Sequence, residues 1–296
     1  MKTVGVVGLG NMGSGLAKNL LNAGFVVRGW DLIPEKVKAV EAMGGIGCES
    51  PAAVGEETEA VFIMVMNGDQ VRDVIFGEDG LVKTLAKGSV ILISATIHAH
   101  EAVEIAGALE GFGYHLVDTP VSGGRPGAQG GTLTLMAAAS DQAFEAAWPA
   151  MEAVSGTIHK VGTEIGQGQT VKACLQSLIG SIFTATYEAS TLAAKAGVNA
   201  DAFHQVVSTS AAGCGIANGS LENIIAGQFK DTGSHIDTMY KDLTISMALG
   251  QGMGVPLFTA STAMQLFQAG KTKHPDGDNQ IVARVVEEIV GAELRS

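Results

Sequence analysis

The sequence predicts a two-part chain: a parallel β-sheet covered by helices up to about residue 160, then an all-α region. Three observations carry this expectation. Short β-branched runs alternate with Ala/Leu-rich helical stretches through the first half, the rhythm of βαβ units. A glycine-rich turn follows directly on the first of those runs, and beyond residue 166 strand signals vanish.

The strands are expected at Thr3–Val7, Val26–Trp30, Ala60–Val65, Val90–Ser94, His115–Asp118 and Leu133–Ala138. Helices begin between them near Gly10, Pro34, Gln70, Glu101 and Asp141. A parallel sheet buried on both faces has nearly continuous apolar strands, and ValPheIleMetVal at 61–65 fits. One long helical pattern follows over Gly168–Ala196, interrupted internally only by Gly180. Further helices are expected near Asp201–Thr209, Asn218–Ala226, Ile236–Gly250, Leu257–Ala269 and Gln280–Val290. The domain boundary is placed at 164/165, giving 1–164 and 165–296.

Composition excludes several function classes. Of 296 residues, 18 are Lys or Arg and 30 are Asp or Glu, for a net charge of −12. Phosphate backbones are bound mainly by Lys and Arg displacing counterions, so no nucleic-acid partner is expected. The apolar runs fall far short of the roughly 20 residues that cross a bilayer, so no membrane role is expected. Three scattered cysteines, Cys48, Cys174 and Cys214, form neither a disulfide framework nor a metal knuckle, which suits a cytoplasmic protein. The apolar run Val4–Leu9 after Lys2 is broken by glycines and reads as mature structure rather than a secretion signal.

Gly8-Leu9-Gly10-Asn11-Met12-Gly13 sits between the first strand and the first helix. In that setting the first glycine permits a tight turn, the second lets a pyrophosphate approach the backbone, and the third lets helix pack on strand. The helix N-terminus then offers free N–H groups to the anion. The first domain is therefore expected to bind a dinucleotide. Asp31, closing the second strand about 20 residues on, is placed to accept from both adenosine ribose hydroxyls and to repel a 2′-phosphate. Leu32 follows it, with no Arg close downstream, so NAD is expected over NADP. The alternative is that Asp31 caps the helix starting at Pro34.

The GlyLeuGlyAsnMetGly opening, Asp118-Thr119-Pro120-Val121-Ser122-Gly123-Gly124, the Gly166-x-Gly168-x-x-x-Lys172 run and Lys241-Asp242-Leu243 together resemble the β-hydroxyacid dehydrogenases, from end to end of the chain. That family includes 3-hydroxyisobutyrate dehydrogenase, tartronate semialdehyde reductase and L-threonate dehydrogenase. The resemblance implies a Rossmann-type domain, an all-helical domain supplying subunit contacts in a homodimer or homotetramer, and an active site in the cleft between them. It further implies that Ser122, Gly123 and Gly124 hold the substrate carboxylate, that Thr96 contacts the cofactor, that Lys172 is the catalytic acid/base, and that Lys241 closes over the cofactor.

The residues bear on these roles independently. A Gly pair after Pro-Val-Ser exposes main-chain N–H groups as an anion nest, or is an ordinary turn. Lys172 on an apolar helical stretch is either snorkelling to solvent or held dry; a dry amine has its pKa lowered toward the working pH, as proton exchange with an alcohol requires. Where most members carry Asn four residues after the Lys, this chain has Gln176, which keeps the amide and is retained as a site residue. Lys-x-x-x-Gln, SerAlaThrIle at 94–97 and Asp31 look most like the L-threonate dehydrogenase branch. Arg125 is either a second anionic grip or a solvated loop residue, and His235 either lines the cleft or does not. His98 and His100 lack a third ligand at zinc spacing, so no metal is expected.

The expected activity is NAD-dependent oxidation of the 3-hydroxyl of a small hydroxycarboxylate. The rival readings are reduction of a semialdehyde such as tartronate semialdehyde, an NAD-binding sensor without chemistry, and an imine reductase, against which Lys172 argues.

Overall fold

A computed structural model describes residues 1–295. The chain divides into two compact units, the first running to Lys172 and the second beginning at Ala173.

In the first unit the elements run β1 (Thr3–Val7), α1 (Asn11–Asn22), β2 (Val26–Trp30), α2 (Pro34–Ala42), β3 (Ile46–Gly47), α3 (Pro51–Gly55), β4 (Ala60–Ile63), α4 (Gly68–Phe76), β5 (Val90–Ile93), α5 (Ala99–Ala108), β6 (His115–Asp118), β7 (Val121–Ser122), α6 (Gly124–Gly130), β8 (Leu133–Ala138), α7 (Asp141–Val154) and β9 (Ser155–Gly162). The nine strands form one sheet in the order β3-β2-β1-β4-β5-β6-β8-β7, with β9 also pairing β8. The first six are mutually parallel and carry the 3-2-1-4-5-6 order of a dinucleotide-binding sheet. Strand order reverses between β1 and β4, so a ligand belongs outside their carboxyl ends.

The fully apolar strands have the expected cause. All four residues of β4 and of β5 are buried, because helices cover both faces of the sheet. One side is sealed by a core including Val4, Leu16, Leu20, Phe62 and Met151, the other by one including Ile63, Val71, Ile75, Ile91 and Ile105.

The sheet departs from the all-parallel expectation at its far end. β8 runs antiparallel to β6 and β7. The chain runs on in the same direction from β6 through Thr119-Pro120 into β7 and turns back only after it, through α6, so that β8 returns as an antiparallel neighbour of both. β9 had no sequence signal, for it is an edge strand with half-exposed residues on both faces and no apolar alternation. α6, GlyArgProGlyAlaGlnGly, reads as loop yet is helical. It packs on α1, where a Cβ on Gly15 would stand 2.6 Å from the Ala128 carbonyl oxygen.

The long helix α8 spans Gln167–Lys195, and its first turns, through Lys172, belong to the first unit. The second unit continues with α9 (Ala200–Thr209), α10 (Gly215–Ile225), α11 (Ile236–Met253), α12 (Phe258–Lys273) and α13 (Val282–Val290). Among the described residues it holds no strand, only an isolated bridge between His235 and Asp278. Its core gathers Phe183, Tyr187, Ile224, Leu243 and Phe267. No helix of the described residues is long and apolar enough to cross a membrane.

Candidate active site

The glycine turn after β1 meets the demands of a pyrophosphate cradle one residue at a time. Gly8 has φ +89°, and a Cβ there would lie 2.4 Å from the Met64 carbonyl oxygen at the end of β4. A Cβ on Gly13 would meet the Gly8 carbonyl oxygen at 1.8 Å, so α1 sits as close to the turn as a helix can. At Gly10 a Cβ would meet nothing within 4 Å; the space above it is open. Gly10 also caps α1 without a side chain, and no acidic residue stands in the first helical turn, which leaves the positive end of the helix to an outside anion.

Asp31 closes this turn from β2. Its Oδ2 accepts from the Leu9 N–H at 2.7 Å and its Oδ1 from the Ile33 N–H at 2.9 Å, while Lys36 stands 3.5 Å from Oδ1. The carboxylate is thus tied to the glycine loop, and the helix cap of α2 is Ile33 rather than Asp31. Asn11 and Met12 open α1 beside Gly10. The residues present fit a dinucleotide.

Lys172 is buried, 6 % exposed, and its Nζ donates to the Val121 carbonyl at 2.8 Å. Val121 precedes Ser122, so the amine is held against the loop that carries Ser122, Gly123 and Gly124. Gly123 and Gly124 are exposed, with φ +131° and +58°, a conformation glycine alone adopts without strain. Thr96 is half-buried in the segment after β5. In the first unit, then, the glycine turn, Thr96, the Ser122 loop and Lys172 all lie on segments leaving the carboxyl ends of β1, β5 and β6 or bonded to them.

Two residues at this edge escaped the sequence reading. Asp118, wholly buried at the end of β6, accepts at Oδ2 from the N–H groups of Gly166 (2.9 Å) and Gln169 (3.1 Å), which fixes the start of α8. Desolvation raises its carboxyl from 3.8 to about 6, against the opposing pull of those backbone donors. Gln169 is buried, with both ends of its carboxamide bonded to the Thr96 segment. The signal for both was a polar residue inside motifs already singled out: Asp118 opens the Ser122 loop motif, and Gln169 lies within the Gly166 to Lys172 run.

In the second unit Gln176 is buried and its Nε2 donates to Asp242 Oδ2, while Lys241 pairs with Asp242 Oδ1 at 3.0 Å. The longer side chain at 176 thus reaches α11, and Asp242 is a further polar residue the sequence reading did not single out. His235 is exposed and caps α11, its Nδ1 accepting from the Asp237 N–H. Arg125 is exposed. The His98 and His100 rings lie 5.2 Å apart, tilted by 34°, and no group of three or more metal-binding side chains occurs among the described residues.

Residues 3–162 match the family model described as the NAD binding domain of 6-phosphogluconate dehydrogenase, and residues 166–286 match that described as NAD-binding of NADP-dependent 3-hydroxyisobutyrate dehydrogenase. The chain is 37 % identical over 278 residues to L-threonate dehydrogenase of Escherichia coli K12, covering 92 % of each chain. Among solved structures it resembles a 3-hydroxyisobutyrate dehydrogenase from Salmonella typhimurium at 33 % identity and TM-score 0.89, over 96 % of this chain and 100 % of that one. A 3-hydroxyisobutyrate dehydrogenase of Mycobacterium tuberculosis, solved with L-serine, follows at 29 % identity and TM-score 0.85, over 97 % and 99 %.

Proposed function

The chain belongs to the β-hydroxyacid dehydrogenases and is an NAD-dependent oxidoreductase of hydroxyacids, and from that premise we propose that it oxidises the 3-hydroxyl of a small polyhydroxy carboxylate of the L-threonate type, with Lys172 as general acid/base. The observation that carries the proposal is the buried Lys172 amine, bonded to the residue preceding Ser122. The similarity to L-threonate dehydrogenases supports the substrate class.

In this reading the Ser122 hydroxyl and the N–H groups of Gly123 and Gly124 hold the substrate carboxylate, which fixes the 3-hydroxyl against Lys172 Nζ. Bound NAD supplies the hydride acceptor. Lys172 takes the hydroxyl proton as the carbonyl forms and returns it in the reverse direction; such help is worth roughly 10²–10⁴-fold. Asp31 receives the adenosine ribose, Thr96 touches the cofactor, and the resemblance gives Gln176 a substrate contact and Lys241 a cofactor contact. We also propose a cytoplasmic homodimer or homotetramer assembled through the helical unit.

A panel of three- to five-carbon hydroxyacids, D and L, with NAD and NADP and read by reduced-cofactor absorbance, tests this. L-threonate is expected to give the highest kcat/KM with NAD, and Asp31→Ser to erode the NAD preference by roughly 10-fold or more, the worth of a charge-assisted hydrogen bond. A semialdehyde reduced with NADH while no hydroxyacid is oxidised would favour the reductase direction instead.

A further inference from the structure

The segment after β5 leaves the sheet with its backbone short of partners. The N–H groups of Ser94 and Ala95 both turn to the Ile63 carbonyl, at 3.0 and 2.9 Å. From the Ala95 carbonyl onward the chain is past its strand neighbour, yet Ala95 and Ile97 are buried. Buried backbone polar groups require partners. Here one side chain provides them: Gln169 Nε2 donates to the Ala95 carbonyl at 3.0 Å and Gln169 Oε1 accepts from the Ile97 N–H at 3.1 Å. A carboxamide offers a donor and an acceptor side by side at every pH, and it stands where an adjacent strand would.

The residue between those two bonds is Thr96. Gln169 itself is fixed at the main chain, its N–H bonded to Asp118 Oδ2 at 3.1 Å. Lys172 follows three positions later on the same helix, hence on the same face. One helical turn therefore carries a tether to the end of β6, a tether on each side of Thr96, and the amine bonded to Val121.

We infer that Gln169 is a positioning residue that sets Thr96, and the cofactor contact it makes, in register with Lys172. The inference rests on the roles proposed above for Thr96 and Lys172. Hydride transfer and proton transfer must occur at one substrate carbon and its oxygen, so the cofactor side and the amine need a fixed separation, and the Gln169 carboxamide links their segments directly.

The test uses Gln169→Leu, similar in size but without hydrogen bonds, and Gln169→Glu. For Gln169→Leu the expected result is a kcat lower by roughly 10–100-fold, the cost of slight misplacement of reacting groups. NAD Kd should stay within about threefold, because the Gly8–Gly13 turn and Asp31 are untouched, and the Ile97 amide should lose hydrogen-exchange protection while β4 amides keep theirs. Gln169→Glu retains the Ile97 acceptor but donates to Ala95 only when protonated. Its buried acid, beside the Asp118 carboxyl, titrates well above an ordinary Glu, so the ratio of its kcat to wild type should rise as pH falls from 8 to 6. The new acid and Asp118 titrate as a coupled pair, so the rise belongs to the pair. A kcat within about twofold of wild type despite lost Ile97 protection would overturn the inference, as would a flat ratio for Gln169→Glu or failure of both variants to fold at every pH. The amide exchange requires no turnover, and Lys172→Ala tests the parent reading separately, so the two can fail independently.

Discussion

At the residue scale the buried ionisable group with the clearest consequence is Asp118. Its folded pKa of about 6 lies above the 3.8 of the unfolded chain, so between those values the native state holds the extra proton. The carboxyl then contributes to stability below pH 3.8, and that contribution is lost as pH rises through about 6, over a range worth about 3 kcal/mol. Asp118→Asn removes the titration. Urea unfolding of both proteins should show the wild type gaining on the variant as pH falls from 7 to 4.5; a constant difference would mean the carboxyl is not held up. Asp118 stood in a motif named from sequence, yet its role was not legible there, for the reason that makes it informative. It ends an otherwise apolar strand, and nothing local reveals that its partners are the amides of Gly166 and Gln169, about 50 residues on. Asp31 and the three glycines were legible because their chemistry is local: a turn, an open space and a close approach within one strand-loop-helix unit.

At the element scale the strands that were legible are those with at least one face in the core. β1, β2, β6 and β8 coincide with their expected ranges, and β4 and β5 end one or two residues early, where the chain turns toward the ligand edge. The elements missed are those with least core: β3 and β7 of two residues each, the edge strand β9, and the short helices α3 and α6. α8 was legible nearly to its ends from a long helical pattern. How it starts was not, because its first turn is fixed by distant backbone. A Cβ on Gly168 would stand 2.6 Å from the Asp118 carbonyl oxygen and 2.7 Å from that of Met136. Both neighbours are main chain and neither yields cheaply. Gly168→Ala should therefore lift the first turn of α8 off the strand ends, lowering Tm by several degrees, as ~1–3 kcal/mol would, and lowering kcat through Lys172. An unchanged Tm with normal turnover would show that the strand ends relax.

At the scale of the whole molecule, the fold class and family were legible because ordered motifs recur from one end of the chain to the other, whereas assembly is written in surfaces. The second unit exposes large apolar side chains, among them Leu192, Phe258 and Ile289, each more than 70 % exposed. Single apolar side chains are ordinary on a surface, so the proposed homo-oligomer stands on its own test: light scattering at micromolar concentration should give a multiple of the 30.3 kDa chain, and a sharp monomer mass would refute it. Catalysis, in the function proposed above, comes down to one nitrogen. The decisive measurement is single-turnover oxidation of L-threonate by wild type and Lys172→Ala, each saturated with NAD. A rate lower by roughly 10²–10⁴-fold with NAD Kd within about threefold is the result predicted; equal rates in the two proteins would contradict the role given to that amine.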